Sequence, residues 1–387
     1  MADSRPLAVL LSPVRPDAQG VGLARRAWMW AMALAAEHRL LTIVFATYAA
    51  AAEGACPVPG QLRVLQARQA GAPQDWLGVD DDLLAQLKAA LPDEPPARVV
   101  VFRLYLMDLA QHLPAEWQAR IELDCDDLES RTRNSLAWLA LRHEQPSQAW
   151  AHIRGARAYR AAENRALQQF ARVHVAAAED ADMLGRRGQR MQAQAKVSVA
   201  ANRIAGPLPT PMPVEAGPPR VLFVGSLGYL PNQDAALWLA KSIAPRLRRL
   251  VPGVEVAVAG AASPDLIVQL ERAGLVYLGA EAGFSAAYAR ASLAIAPLRG
   301  GGGTKFKVLE AWLHGRPVVA TSHACRGLGA VSGNQLLMAD SATGLAKACA
   351  RLLADTRLAA LLVTRARALL TDGFLLPTSG LPFNDDN

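Results

Sequence analysis

The chain is expected to be an α/β protein of two doubly wound domains facing a cleft. Three observations carry that expectation. Short apolar bursts of strand type alternate with helical patterns, the alternation occurs twice, and a proline-rich stretch divides the two series. Apolar strand runs that alternate with helices bury both faces of a parallel sheet. A length of 387 residues accommodates two domains. With 52% hydrophobic and 19% charged residues, a large core can form and disorder is disfavoured.

In the first half, PLAVLL, LLTIVFA, RVVVF, RIEL, RVHVAA and KVSVA read as strands, with helices near Leu23 to His38 and Tyr159 to Phe170. In the second half, RVLFVG, VEVAVAG, LVYLG, SLAIAP and PVVAT repeat the rhythm. Helices are expected there near Gln233 to Leu250, Pro264 to Ala273, Phe284 to Ala291 and Thr304 to His314. The stretch AGPLPTPMPVEAGPPR carries six prolines, which do not fit a sheet or helix interior. The expected organisation is a first domain over 1–204, a linker over 205–220, a second domain over 221–370 and an irregular tail over 371–387. Ligands of open α/β sheets bind at the carboxyl edge of the strands, so that edge of each domain is where a site is sought.

The net charge of +7 suits anionic partners such as a nucleotide, a phosphorylated lipid or a membrane surface. The basic residues are dispersed and no nucleic-acid motif is present, so nucleic acid is not an expected partner. Cys56, Cys125, Cys325 and Cys349 form no CxxC pair, and the seven histidines show no metal spacing. No metal site is expected, and a reducing cytoplasm is the simplest compartment. The opening PLAVLLSPV, broken by Pro13, reads as a strand and not as a signal peptide. The apolar stretch Trp28 to Ala36 is too short to cross a bilayer.

The segment with the most chemistry is GGGGTKFKVLEAWLHG, residues 300–315. Glycines let a ligand approach the backbone. The first-turn N–H groups and the helix dipole favour an anion, and Thr304 is placed to cap the helix. Lys305 and Lys307 are unfavourable at a helix start unless an anion is bound. Lys307 and Glu310 are three apart and share a face, while Val308, Leu309 and Trp312 turn toward the core. From the residues alone, a plain loop before a core helix with a surface Lys–Glu pair is the other reading.

The block PLRGGGGTKFKVLEAWLHGRPVVAT resembles the donor-site motif of the family 4 glycosyltransferases (glycosyl transferases group 1) of the GT-B fold. VLFVGSLGYLPNQDAALWLAKSIAPRL is similar to the opening of their C-terminal domain, and the likeness runs from about 219 to 366. RIELDCDDLESRTRNS and the glycine loop near the start resemble their N-terminal domain more loosely. The resemblance implies two Rossmann-like domains, a nucleotide-diphosphate sugar as donor substrate held by the second, an acceptor held by the first, and no cofactor. It implies that Glu310 holds the donor ribose and that Gly303, Thr304 and Lys305, with neighbouring Phe306, contact sugar and diphosphate. It implies that Leu278, Gly279 and Ala280 lie near the nucleobase.

This sequence departs from the family pattern at several points. Gly302 stands where the first glutamate of the paired motif falls, and Ser226 and Pro231 stand where many relatives have an arginine and a lysine. Lys305 or Lys307, together with Arg299, is the expected source of the compensating charge. Asp126 occupies the place of a histidine that contacts the reacting sugar in relatives, and with Lys307 it is the candidate catalytic pair.

The other constellations are weaker. Gly225 and Ser226 follow a strand and are expected beside the donor phosphate; a tight turn with Asn232 as helix cap is the plainer reading. Gly20 and Gly22, before the first helix, are expected in a loop facing phosphate or acceptor, with Asp127 on the same side; an exposed loop is the equal alternative. Glu129 and Ser130 match the family pattern and, with Asp127, read as caps for the following helix. Trp28 and Trp30 with Arg25 and Arg26 are candidates for a membrane interface, against the commoner reading of tryptophans as core. Asp124 and Asp126 also match the Asp-x-Asp motif of metal-dependent GT-A transferases, which is a short and unspecific pattern. His174 is expected in the core, and His314 at a helix end where a positive charge suits the dipole.

The expected activity is transfer of a sugar from a nucleotide-diphosphate sugar to an acceptor hydroxyl, with retention, in cell-envelope polysaccharide or glycolipid synthesis. Saccharide, lipid-linked and small-molecule acceptors all remain open, and the expected location is cytoplasmic or peripheral on the inner face of the membrane. A nucleotide-sugar epimerase of the same fold, a metal-dependent GT-A transferase and a non-catalytic nucleotide-sugar-binding protein are the alternatives.

Overall fold

The computed structural model describes residues 3–18, 20–46, 57–69, 77–204, 206, 208–211, 214–215, 217–280, 284–303 and 305–376. The chain divides into two compact units. One contains residues 1–131, 153–205 and 376–387, the other 132–152 and 206–375.

The first unit starts with β1 (Leu7–Ser12), α1 (Gly22–Glu37), β2 (Arg39–Ala46) and β3 (Gln61–Gln66). A small antiparallel pair follows, β4 (Arg68–Gln69) with β5 (Leu77–Gly78), and then α2 (Asp81–Ala90), which Asp80 caps by accepting from the Leu83 N–H. Next come β6 (Arg98–Phe102), β7 (Ile121–Asp126), the long helices α3 (Glu129–Arg142) and α4 (Pro146–Gln169), β8 (Arg172–Val175), α5 (Ala178–Arg190) and β9 (Lys196–Val199). The sheet has seven strands in the order β3-β2-β1-β6-β7-β8-β9, paired in parallel throughout. β1, β6 and most of β2 are buried on both faces, which is why they read as unbroken apolar runs.

The second unit holds β10 (Arg220–Val224), α6 (Leu230–Trp238), α7 (Ala244–Leu250), β11 (Glu255–Ala259), α8 (Pro264–Arg272), β12 (Val276–Tyr277), α9 (Ser285–Ala289), β13 (Leu293–Ala296), α10 (Phe306–Leu313), β14 (Val318–Ala320), β15 (Leu337–Met338), α11 (Ala342–Ala354) and α12 (Thr356–Gly373). Its six strands run parallel in the order β12-β11-β10-β13-β14-β15. In both sheets the order reverses once, between β1 and β6 and between β10 and β13. A crevice opens at such a reversal, at the carboxyl ends of the two strands.

The expected strands all form, and the fold is two doubly wound α/β units. Three details differ from the expectation. The helix expected over Gln233 to Leu250 is broken by a π turn at Leu239–Ile243, just ahead of Pro245, whose ring lacks the N–H that a continuous α-helix would use. The last helix continues to Gly373, past the expected stop at Leu370, and the Leu376 N–H then bonds the Ile204 carbonyl within the first unit. Residues 132–152 group with the second unit, so α3 and α4 each have their hairpin-proximal end there. Residues 377–387 of the expected tail, and 205, 207, 212, 213 and 216 of the expected linker, lie outside the described residues.

Candidate functional site

In the second unit the crevice lies between the end of β10, which runs into Gly225 and Ser226, and the end of β13, which runs into Arg299 and the glycine run. Gly225 and Gly260, at the ends of β10 and β11, are in backbone contact. A Cβ on Gly260 would lie 2.0 Å from the Gly225 oxygen, and Gly260 has φ +135°. Gly260→Ala is therefore expected to destabilise the protein by about 2–4 kcal/mol and to displace the Gly225 turn. Chemical denaturation of the two proteins measures it, and an unchanged midpoint would contradict this account.

The glycine run is held from several sides. The Gly301 N–H donates to Ser135 Oγ at 2.9 Å, and the Gly301 carbonyl lies 2.8 Å from His323 Nε2. Gly300 packs so closely on α3 that a Cβ would sit 2.7 Å from Leu139 Cδ1. Gly301 and Gly303 have φ of +96° and +67°, a conformation that glycine takes at no steric cost. The run is thus a fixed turn and not a slack loop. α10 then begins at Phe306, and no side chain among the described residues caps it. Thr304, expected as the cap, lies outside the described residues.

Two lysines and a glutamate project from this helix start. Lys305 is buried and its Nζ donates to the Gly302 carbonyl. Lys307 is partly buried, and its Nζ donates to Asn232 Oδ1 at 2.6 Å and lies 5.0 Å from the centre of the Phe223 ring. Burial, with the Lys305 charge adding to it and Glu310 partly opposing, brings the Lys307 ammonium down to about 7. Glu310 is buried at 9% exposure, while Val308, Leu309 and Trp312 fill the core behind it.

Leu278 and Gly279 follow β12. The Leu278 N–H bonds the Val258 carbonyl, and the Gly279 carbonyl accepts from the Gly260 N–H. They line a cavity of about 110 Å³ with Phe284, Ala287, Arg220 and Arg290, a volume suited to one part of a nucleotide. Ala280 is the next residue of the same loop and is exposed.

Arg299 differs from expectation. Its guanidinium binds Asp234 with two hydrogen bonds, 2.6 and 2.9 Å, and lies 4.5 Å from the Trp238 ring centre. Its charge is balanced by a carboxylate that is 0% exposed, so it does not serve as the compensating cation expected for the diphosphate. His143 Nε2 joins the same carboxylate at 2.9 Å. Asn232 also differs. It lies inside α6, whose N-cap is Tyr229, and its side chain does not cap the helix.

In the first unit the end of β7 carries a dense ion-pair cluster. Asp124, fully buried, accepts from Arg26 Nη2 at 2.6 Å, Arg26 Nε at 2.7 Å and Trp30 Nε1 at 2.7 Å. Arg26 and Trp30 are thus core residues, and they correct the expectation of a membrane-facing patch on α1. The pairing also leaves Asp124 unsuited to the Asp-x-Asp role. Asp126 sits at φ +63° beside the irregularity where β7 meets β8. It accepts from Arg103 Nη1 at 2.9 Å and lies 3.4 Å from Arg26 Nε. Burial raises its pKa; Arg26 and Arg103 oppose that rise, and Asp127 and Asp124 add smaller upward pushes. Arg103, itself at φ +82°, also binds Asp127 at 3.1 Å and Glu129. Ser130 donates to Glu163 at 2.8 Å. Glu129 thus joins this cluster through Arg103, while Ser130 is tied to Glu163. Gly20 lies in the loop ahead of α1, its carbonyl accepting from Arg25 Nε at 2.7 Å, and Gly22 opens the helix.

His174 is a satisfied core residue, 2.8 Å from Glu122 and 2.7 Å from Ser198. His314 stacks on Tyr288 at 4.7 Å. Burial and the neighbouring Arg316 charge lower its pKa, against the charged role expected at the helix end.

The two sheets, each wound about one reversal, define the class: both units are Rossmann-like, and the fold is that of GT-B structures. Residues 218–355 match the family described as glycosyl transferases group 1. An uncharacterized 44.6 kDa protein in the cps region of Klebsiella pneumoniae is 29% identical over 136 residues, covering 33% of this chain and about a third (35%) of that protein. Sucrose-phosphate synthase from Thermosynechococcus elongatus is similar in structure over 96% of this chain and 95% of its own, with TM-score 0.69 and 15% identity. HepE from Anabaena, solved in complex with UDP and glucose, is similar over 96% of both chains, with TM-score 0.59 and 15% identity. At these identities the structural likeness establishes the fold. A single-sheet GT-A transferase, one of the alternatives from sequence, is excluded by it. Among the described residues no helix is long and apolar enough to cross a membrane.

Proposed function

We propose that the protein transfers a sugar from a nucleotide-diphosphate sugar to an acceptor hydroxyl, with the donor in the crevice of the second unit. One observation carries the reading. A fixed glycine turn at the strand-order reversal ends on a short helix whose first turns present Lys305, Lys307 and a buried Glu310. Helix N–H groups with two lysines suit a diphosphate, and a carboxylate further along suits ribose hydroxyls. The family match over 218–355 and the UDP and glucose named with HepE support a uridine diphosphate donor.

In the reaction the bond from the anomeric carbon to the diphosphate oxygen breaks with its electron pair leaving on the diphosphate. The acceptor oxygen forms the new bond on the same face, and its proton passes to the departing phosphate. The lysines and the helix start stabilise the charge that develops there. Asp126, whose raised pKa suits it to hold a proton, is the candidate catalytic group of the first unit. The acceptor is a saccharide or lipid-linked glycan of the cell envelope, a reading supported by the cps-region relative and by the net charge of +7. The reaction needs no metal, and the protein works in the cytoplasm or against the inner face of the membrane.

The test is turnover and binding with a panel of nucleotide sugars, with and without EDTA. UDP binding and UDP-sugar turnover in EDTA are expected. Glu310→Ala should weaken UDP binding by about 10–100-fold, the scale of lost hydrogen bonds to a charged group. Turnover abolished by EDTA, or Glu310→Ala binding like wild type, would overturn the reading.

A further inference from the structure

Asn232 links the Gly225–Ser226 turn to Lys307, which lies 75 positions beyond Asn232 in the chain. Its Nδ2 donates to the Ser226 carbonyl at 2.8 Å, and its Oδ1 accepts from Lys307 Nζ at 2.6 Å. The chemistry fixes which way the amide points, since the reverse orientation would set an NH₂ against an ammonium and a carbonyl against a carbonyl. The residue is only 9% exposed. Gly225 completes the arrangement. A Cβ there would lie 3.0 Å from both Asn232 Cγ and Lys307 Nζ, so the glycine leaves the room that the pair occupies.

The charges around Lys307 are unequal. From its own helix start come Lys305 and Glu310; from α6 comes the neutral Asn232; from β10 comes the Phe223 ring; from α9 the Tyr288 hydroxyl donates to the Lys307 carbonyl. Asp234, two residues beyond Asn232, is turned instead to Arg299 and His143. The group bonded to the ammonium is therefore an amide and not a carboxylate. An amide holds the four-carbon stem in place and leaves the positive charge unbalanced. A carboxylate in its place would neutralise the lysine and repel an incoming phosphate.

We propose that Asn232 is a positioning residue for the donor: a neutral tether that aims the Lys307 ammonium at the Gly225–Ser226 turn and reserves its charge for a diphosphate. The role rests on the reading that a nucleoside diphosphate occupies this crevice. It also explains why an amide is used at a place where a helix cap is the ordinary expectation.

The test uses the full chain and two measurements. The first, without ligand, follows acetic anhydride labelling of Lys307 against pH by mass spectrometry, since only the neutral amine reacts. The second is UDP binding by calorimetry at pH 7. Asn232→Asp should move the labelling midpoint up by about one pH unit or more, as a carboxylate beside an ammonium does. It should weaken UDP binding about 10-fold or more through like-charge repulsion. Asn232→Ala, which removes the tether without adding charge, should weaken UDP binding about 5-fold, the scale of one hydrogen bond, and Asn232→Gln should not restore it. A labelling profile unchanged in Asn232→Asp overturns the tether, whether or not UDP binds. A shifted profile in a protein whose wild type binds no UDP upholds the tether and overturns the nucleotide reading instead.

Discussion

Arg26→Met is expected to destabilise the protein by about 3–5 kcal/mol, the cost of leaving one member of a buried ion pair alone. The guanidinium has no exposed surface, and neither does the Asp124 carboxylate it binds. Its other nitrogen is committed as well, with Nη1 donating to the Ala200 carbonyl and to Asn202 Oδ1, both at 2.9 Å. Methionine fills much of the space but provides no donor. Burial by itself would push the Asp124 carboxyl up; the Arg26 charge and hydrogen bonds, with smaller help from His174 and Trp30, reverse that and hold it below the usual carboxylate range. In wild type the stability from this carboxylate is therefore present above its unfolded pKa and lost only as pH falls through the lower folded value. In the variant the desolvation is no longer opposed, and the folded pKa of Asp124 rises above the unfolded one. The penalty is then greatest at neutral pH and shrinks as acid protonates the carboxyl. Urea denaturation at pH 7 and pH 5 checks both claims. A gap that stays constant or widens in acid would refute the assignment of the cost to Asp124.

The same residues show where sequence reading stops. The sheets were legible because strands buried on both faces must be apolar throughout, as LLTIVFA and RVVVF are. The glycine run stands out in the sequence because glycines and two lysines at a helix start conflict unless an anion is near. Arg26 and Trp30 on α1 gave no such signal. Nothing local marks an arginine as buried when its partner, Asp124, lies 98 residues away. Arg299 looks like a spare cation in the sequence for the same reason, since Asp234 neutralises it from another helix. For Asn232 the local pattern offers a helix cap as the plainer reading, since asparagine is a favoured capping residue. Its true partners, Ser226 and Lys307, become visible only when the two strand ends are brought side by side. The grouping of residues 132–152 with the second unit has no sequence signature, because it depends on Ser135 and Leu139 meeting glycines that follow β13. In each case a long-range pairing, invisible in the local pattern, decides the role.

Lys307→Ala should weaken binding of the donor diphosphate by about 100-fold at pH 7, since a partly desolvated charge contact of this kind typically contributes 2–3 kcal/mol or more. The stability of the variant should rise, not fall. In wild type the ammonium is held down to about 7, well below the ordinary lysine value, chiefly by burial and then by Lys305. A lysine whose folded pKa is lowered costs stability while it is charged. That cost is fully present below the folded value and is relieved as pH rises toward the unfolded one. Alanine has no such cost, so the stability gain is largest near and below pH 7 and declines above it. Donor binding moves the other way. A diphosphate favours the charged form, so binding above pH 7 requires the site to take up a proton. Affinity for a nucleotide sugar, whose diphosphate diester does not itself titrate in this range, should then fall by up to about tenfold per pH unit from pH 7 to pH 9. Lys307→Ala should bind weakly and show little pH dependence across that range. Calorimetry of wild type in two buffers of different ionisation enthalpy at pH 8 measures the proton uptake directly. A stabilised variant with undiminished donor affinity would mean that Lys307 is strained for some purpose other than the diphosphate. A destabilised variant with flat wild-type binding would mean that the lysine is structural. Loss of affinity together with gained stability is the combination expected of a residue whose burial is tolerated for the anion it meets.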